Sequence, residues 1–326
     1  MALTKVSNSM LVQPVNHNIL INPSFTVKQR GDVIVHANTS YGPDRWKVRG
    51  LDAAGGTKVE SSTKVDDVTG INKLVVKHEG TTTDTAYVYQ SIEAVNLLGL
   101  YGKEMTLSFS YSDTDGSGIP KVLIRSWGAL ATQKVLYDAV PTSLDDNRWT
   151  CTFTLSTDGD ISDPNEKGLQ VTIAPNSDNG GNINNAPSKW SVWETKLEVG
   201  SVVTPFIARS YAEELALCHR YYQSMFIQAT SGFSSTRRAL NTVGICVPLY
   251  AVMRGTPSFI SQRADGTNPT YTLKGNGDNE VFYEPDLIYG TGFALLSKAE
   301  LTTTLSNEHA YVTSVQSGYY KFDAEL

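Results

Sequence analysis

The chain is poor in charge and in cysteine. Charged residues make up 18% of its 326 positions, below the roughly 25% of an average globular domain. Only three cysteines occur, Cys151, Cys218 and Cys246, and none forms a C-x-x-C pair. An odd count at wide spacing argues against a disulfide framework or a zinc site, so the three read as small buried hydrophobes. The five histidines, His17, His36, His78, His219 and His309, form neither H-x-H nor H-E-x-x-H, and metal catalysis has no local support. A G-x-S-x-G elbow and a Walker loop are both missing. Basic excess is missing too. The net charge of −6 argues against a nucleic acid or an anionic membrane as partner. Long apolar runs are absent: the longest, 244–253, falls far short of the ~20 residues a membrane span needs. The opening MALTKVSNSMLVQPVNHN lacks a signal-peptide core, which predicts a soluble protein made in a reducing cytoplasm.

What is present is the vocabulary of strands and turns. The length predicts two domains or three. The runs KLVVKHE (73–79), AYVYQSIE (86–93), MTLSFSYS (105–112), KVLIRSW (121–127), WTCTFTLS (149–156), LQVTIAP (169–175) and SVWETKLEV (191–199) are rich in β-branched and aromatic residues. Leu107, Phe109 and Tyr111 alternate onto one side, as do Cys151, Phe153 and Leu155, the period of a half-buried strand. Turn clusters such as DTDGSGIP, TSLDDN and NSDNGGNINNAPS separate them. The pattern predicts an antiparallel sandwich of jelly-roll type, and no βαβ alternation suggests a dinucleotide fold. Strand signals resume at 245–253, 258–262, 270–275, 280–284, 292–297, 310–316 and 319–326, a second β domain.

Between these halves lies SYAEELALCHRYYQ (210–223). Ser210 with Glu213 forms a capping box. Tyr211, Leu215, Cys218 and Tyr222 recur on one helical face, widened by Leu217 and Tyr221. A helix this short must bury that face against something. The predicted organisation is therefore a mainly β chain: an N-terminal arm (1–18), a jelly-roll β-sandwich (19–208), a connecting helix (209–223) and a C-terminal β domain (224–326).

Particular stretches resemble a known family. NILINPSFTVKQRG (18–31) with YGPDRWKV (41–48) looks like the opening of a recurring phage tail-fibre module that is similar in fold to carbohydrate-binding jelly rolls. QSIEAVNLLGLYGKEMTLSFSYS (90–112) resembles its middle. WETKLEVGSVVTPFIARSYAEELALCHRYYQ (193–223) resembles its closing strand and the helix after it. VMRGTPSF (252–259) and YKFDAEL (320–326) are similar to the end domain of such proteins, and LTKVSNSM to the arms that open some spikes and fibres. The resemblance implies a virion protein of the tail, a tail fibre or receptor-binding protein. It implies a homotrimer attached through the N-terminal arm to other tail or baseplate proteins. It defines no ligand residues. The chain departs from long fibres in having no shaft, collagen-like or β-helix repeat, which favours a compact appendage.

Candidate sites come from the residues alone. A sugar-binding module stacks an aromatic ring on the apolar face of a pyranose and bonds its hydroxyls with polar side chains. Trp127 and Trp190 lie beside polar loops and are the candidate platforms. Trp46, Trp149 and Trp193 start or continue strands and read as core. Tyr41, Tyr87, Tyr89 and Tyr101 are further aromatic candidates. Arg237 and Arg238 are the only adjacent basic pair, suited to an anionic sugar or a lipopolysaccharide phosphate; the bland alternative is a solvated loop. The acidic loops 113–116 and 158–163 fail the EF-hand register, so no metal ligand, catalytic residue or cofactor is assigned. Late in the helix, His219 suits the dipole as a cation.

The predicted function is non-enzymatic, multivalent attachment to host surface polysaccharide. Two rival readings stay open: a purely structural baseplate or head-fibre component, and a glycan-degrading enzyme. A carboxylate pair for the latter has no assigned members.

Overall fold

A computed structural model describes residues 17–36, 39–51, 58–79, 85–114, 118–127, 133–145, 147–156, 167–176, 189–227, 232–239, 242–263, 271–274, 279–282, 286–290, 293–298, 310–314 and 318–325. The chain forms two compact units that meet in sequence between Tyr211 and Ala212. The architecture is mainly β: a jelly-roll-like sandwich, a short helix and a second β unit.

The first unit contributes strands β1 (Val33–His36), β2 (Thr39–Tyr41), β3 (Lys47–Leu51), β4 (Lys58–Val65), β5 (Asn72–Glu79), β6 (Thr85–Glu93) and β7 (Glu104–Asp113). They are followed by β8 (Pro120–Trp127), β9 (Gln133–Ala139), β10 (Thr142–Ser143), β11 (Arg148–Thr154), β12 (Lys167–Pro175) and β13 (Lys189–Val199). One sheet has seven strands in the order β1-β4-β5-β13-β7-β11-β10. Its partner has six, β2-β3-β6-β12-β8-β9. Residues from both sheets share one core, in which Leu107, Phe109 and Tyr111 of β7 face Val88 of β6 and Ile124 of β8. The period-two pattern is thus realised: Leu107, Phe109 and Tyr111 are buried, and so are Cys151, Phe153 and Leu155. Burial pushes the Cys151 thiol up to about 12, so it stays protonated and inert. Cys218 is also a buried free thiol, and the Cys246 side chain lies outside the described residues.

The core is sealed at one edge by a glycine. In β12, Gly168 sits where a Cβ would meet the Ala94 backbone at 2.6 Å and 2.9 Å and the Leu97 side chain at 2.7 Å. The Ala94–Leu97 3-10 turn therefore lies directly on this strand. Backbone cannot step aside as a flexible side chain can, so Gly168→Ala should cost about 2 kcal/mol or more. A urea melt showing an unchanged midpoint would refute this close approach.

The second unit holds α1 (Tyr211–His219, its first residue excepted) and strands β14 (Tyr222–Ile227), β15 (Gly232–Ala239), β16 (Thr242–Pro248), β17 (Ser258–Arg263) and β18 (Tyr271–Lys274). After these come β19 (Asn279–Phe282), β20 (Asp286–Gly290), β21 (Phe293–Lys298), β22 (Ala310–Ser314) and β23 (Gly318–Asp323). They form a three-stranded sheet, β14-β23-β17, and a seven-stranded one, β19-β18-β22-β15-β16-β21-β20.

The helix differs from the sequence reading in length and, at its N-terminal end, in the face it buries. It stops at His219, and Tyr222 opens a strand. The buried Gln223 side chain explains the stop: its amide donates to the His219 carbonyl at 3.0 Å and the Ala251 carbonyl at 2.8 Å and accepts from the Tyr250 N–H at 2.8 Å. It thereby caps a helix-end carbonyl while the Gln223 backbone pairs with Phe322. Glu214 and Cys218 are the buried helix residues, whereas Tyr211 is 58% exposed and Leu217 is exposed as well. Of the expected stripe, Cys218, Tyr221 and Tyr222 are buried, so the packed face is the C-terminal part of that stripe together with Glu214. His219 stacks on Tyr250 at 4.8 Å, and burial lowers its pKa, which favours the neutral ring over the dipole-serving cation expected above.

Candidate functional site

The six-stranded sheet has one face in the core, so alternation decides what lies on the other. Val48, Val88, Val122, Ile124, Val171 and Ile173 are buried inward. Their neighbours Lys47 and Arg49 on β3, Tyr87, Tyr89 and Ser91 on β6, Gln170 and Thr172 on β12, and Arg125 on β8 therefore face outward. Register lines these residues up across strands. Tyr41 pairs with Lys47, Lys47 with Tyr89, Tyr89 with Thr172, and Thr172 with Leu123. A parallel row runs from Ser91 through Gln170 to Arg125.

Tyrosines and cations interleave on this face. Lys47 Nζ lies 4.8 Å from the Tyr41 ring centroid and 6.0 Å from that of Tyr89. The Arg49 guanidinium lies 5.7 Å from the Tyr87 ring, and Arg30 4.6 Å from Tyr41. The Tyr87 and Tyr89 rings sit 6.0 Å apart and tilted at 45°. These contacts hold the rings in fixed poses. Burial, reinforced by Tyr87 and opposed by Arg49, pushes the Tyr89 phenol up to about 12, so it remains a neutral hydroxyl at any physiological pH.

The floor beneath these side chains is polar and unsatisfied. Ser91 is only 5% exposed, yet its Oγ has no hydrogen-bond partner. The Nε atoms of Arg49 and Arg125 are buried and unpartnered as well. Three orphaned polar atoms on one sheet face are a liability unless a ligand or water completes them. Aromatic flanks, cations and unfilled hydrogen-bond sites together can grip a flat, hydroxyl-rich molecule.

The sequence-derived candidates fare differently. Trp190 has 0% exposure and packs in the core against Tyr111, ring centroids 5.9 Å apart, so it has no face open to a sugar. Trp127 ends β8, and its side chain lies outside the described residues. Arg237 and Arg238 fall in β15, again with side chains outside the described residues. Tyr101 is half-buried and leans on the sandwich core. Of the acidic loops, Asp113 accepts from the Gly118 N–H and from the Tyr111 hydroxyl, each at 3.1 Å, and 158–163 lies outside the described residues. No cluster of three metal-ligating side chains occurs among the described residues. Sequence reasoning named Tyr41, Tyr87 and Tyr89 but overlooked Lys47, Arg49, Ser91 and Arg125. The available signal was Tyr87-x-Tyr89 separated by core Val88, opposite Lys47-x-Arg49 separated by core Val48.

No family model matches the chain, and no curated relative matches it either. Among solved structures, it is similar to the enzymatically active domain of tailspike protein 4 from bacteriophage CBA120, at 12% identity and a TM-score of 0.31. That match covers 56% of this chain and spans only 21% of the tailspike chain. The family 11 carbohydrate-binding module of a cellulosomal cellulase from Clostridium thermocellum matches at 17% identity and a TM-score of 0.30, covering 52% of this chain and 99% of the module. A xylan-binding domain from Paenibacillus barcinonensis matches at 13% identity and a TM-score of 0.29, covering 53% and 97%. These likenesses are remote, and the site stands on its own residues.

Proposed function

We propose that the first unit binds a glycan on the outer face of its six-stranded sheet. The observation that carries this reading is the cross-strand row Tyr41–Lys47–Tyr89–Thr172, flanked by the unpartnered Ser91 hydroxyl. Aromatic rings cover the apolar side of a pyranose. The polar floor exchanges its lost water for sugar hydroxyls. Each contact of this kind is weak, so useful avidity requires several sites acting together.

The finer reading is a non-catalytic attachment protein of a phage tail, assembled as a homotrimer, carried on the virion and gripping host surface polysaccharide. Its support is the sequence resemblance of 18–31 and 193–223 to tail-fibre modules. In that scheme the residues before 19 dock on the particle.

Affinity electrophoresis of the full chain through gels containing neutral and acidic polysaccharides tests the binding reading. At least one polymer should retard the protein. Tyr89→Ala should weaken that retardation about tenfold while the chain still melts cooperatively, because its ring lies on the outer face and not in the sandwich core. Retardation that Tyr89→Ala does not alter would sink the assignment to this face. Light scattering of the purified chain tests the trimer, and a monomer at micromolar concentration would refute it.

A further inference from the structure

We propose that the glycan held on this face is acidic, carrying repeated carboxylate or sulfate groups. The inference rests on the reading of the face as a glycan site and specifies its substrate class. Charge accounting across the face is its basis. Lys121 is paired with Asp138 at 2.9 Å, and Arg30 lies 3.6 Å from buried Asp44. Those cations are neutralised locally. Glu93, farther along β6, is fully buried at the strand's end. Arg49 and Arg125 form no ion pair with a carboxylate among the described residues, and each keeps a buried Nε without an acceptor. Lys47 adds a third cation on the same face, held over Tyr41 and Tyr89.

In a chain of net charge −6, two guanidiniums, Arg49 and Arg125, thus stand on one sheet face without a carboxylate partner among the described residues. A guanidinium whose Nε is desolvated and unbonded is best completed by an anion, which accepts charge-assisted hydrogen bonds in a planar fork. A neutral sugar hydroxyl could satisfy Ser91 Oγ but would leave both charges uncompensated. The spacing makes the ligand a polymer. Register puts three strand steps between β3 and β8 and four residues along β6 between the levels of Arg49 and Arg125, so their Cα atoms lie roughly 20 Å apart. One anion cannot reach both corners, whereas an extended chain with an acidic group on successive sugars crosses Tyr87 and Tyr89 on the way.

Titration of the full chain with polygalacturonate, and with the same polymer after carboxyl reduction, tests the proposal. Heparin provides the sulfate source and oligo(dT) a polyanion that is not a glycan. Polygalacturonate or heparin should bind at least about tenfold tighter than the reduced polymer and weaken as salt rises. Which of the two binds better identifies carboxylate or sulfate as the preferred anion. The Arg49→Gln/Arg125→Gln variant, checked for an unchanged melt, should lose that advantage. Equal binding to the charged and reduced polymers, with both lost in Tyr89→Ala, overturns the acidic assignment and leaves the glycan reading intact. Binding that survives Arg49→Gln/Arg125→Gln overturns it as well. Oligo(dT) bound as tightly as the acidic glycans would mean undiscriminating polyanion capture and would overturn it too. If no polysaccharide binds, both the inference and the glycan reading fail.

Discussion

Replacing Asn22 with Ala should destabilise the first unit by about 4 kcal/mol, a large fraction of the 5–15 kcal/mol that holds a typical domain together. Asn22 is fully buried and takes φ 54, a left-handed conformation that Asn tolerates and Ala does not. Its side-chain amide donates to the Val27 carbonyl at 2.8 Å and the Asp44 carbonyl at 2.9 Å. Its Oδ1 accepts from the Val27 N–H at 3.0 Å. Its backbone carbonyl accepts from the Trp46 indole at 2.9 Å. Truncation removes three buried hydrogen bonds at once, each worth about 1 kcal/mol, strips the Val27 N–H of its acceptor and adds about 1 kcal/mol of backbone strain, while the Val27 carbonyl keeps the Asp44 N–H at 3.0 Å. Phe25 and Arg45, at φ 56 and 72, sit in the same segments and depend on the same network. Urea unfolding followed by tryptophan fluorescence reads the loss as a lowered midpoint at constant slope. A shift below about 1 kcal/mol would show that water or rearrangement replaces the amide. Asn22→Asp provides a check of sign. A carboxylate among those carbonyls would have its folded pKa raised, so the folded state binds more protons than the unfolded one. Stability of that variant should therefore rise as pH falls through the raised value.

This network explains what the stretches NPSF and YGPDRW do. Read as sequence they are a recognisable pattern with no stated purpose; in the fold they are a polar knot joining the start of the chain to β3 and β6. Arg45 completes it by donating to the Ser91 carbonyl at 2.6 Å. The pattern was legible because turn residues and a Trp at fixed spacing are rare together. Its purpose was not, because Asn22 meets Asp44 only through folding.

The same contrast runs through the elements. Strands with clean alternation, such as β7 and β11, were readable from one row of side chains. Strand β4, KVESSTKV, was overlooked because its residues are mostly polar, although Ser61 and Ser62 are buried in the sheet. The helix was over-extended because Tyr221 and Tyr222 continue its period, while the side chain that ends it, Gln223, is bonded to a residue 28 positions away. The candidate face suffered most. Tryptophan beside a polar loop is a reasonable sugar platform, yet Trp190 starts β13 on its inward side. Alternation from core Val192 would have placed it there. Arg49 and Arg125 share a face only because β6 and β12 lie between their strands, and pairing order is not written in local sequence.

The second large effect is expected at Lys196 and Glu198, two residues apart on the outer side of β13 and almost completely buried, 2% and 0% exposed. Their charged atoms approach to 3.3 Å. Thr204 joins the pair: its N–H donates to Glu198 Oε1 at 2.9 Å, its hydroxyl donates to Oε2 at 2.5 Å, and that hydroxyl also accepts from Lys196 Nζ. The ammonium donates further to the Pro205 carbonyl at 3.1 Å. This pair pins residues 200–205 to the sheet, as Thr106 donating to the Gly200 carbonyl and Arg209 donating to the Leu20 carbonyl pin its two ends. The segment KLEVGSVVTPFIAR is accordingly a strap on the body of the unit. Glu198→Ala leaves a desolvated ammonium without its counter-charge, and an uncompensated buried charge costs about 3–5 kcal/mol. Lys196→Met strands the carboxylate at comparable cost. The double variant Lys196→Met/Glu198→Met should lose less than either single change, since no charge is then left uncompensated and apolar side chains of similar volume fill the site. A double-mutant cycle in urea measures this coupling, expected at about 2 kcal/mol or more. Additive losses would mean that each charge is held by Thr204 and Pro205 alone, with no dependence on the other.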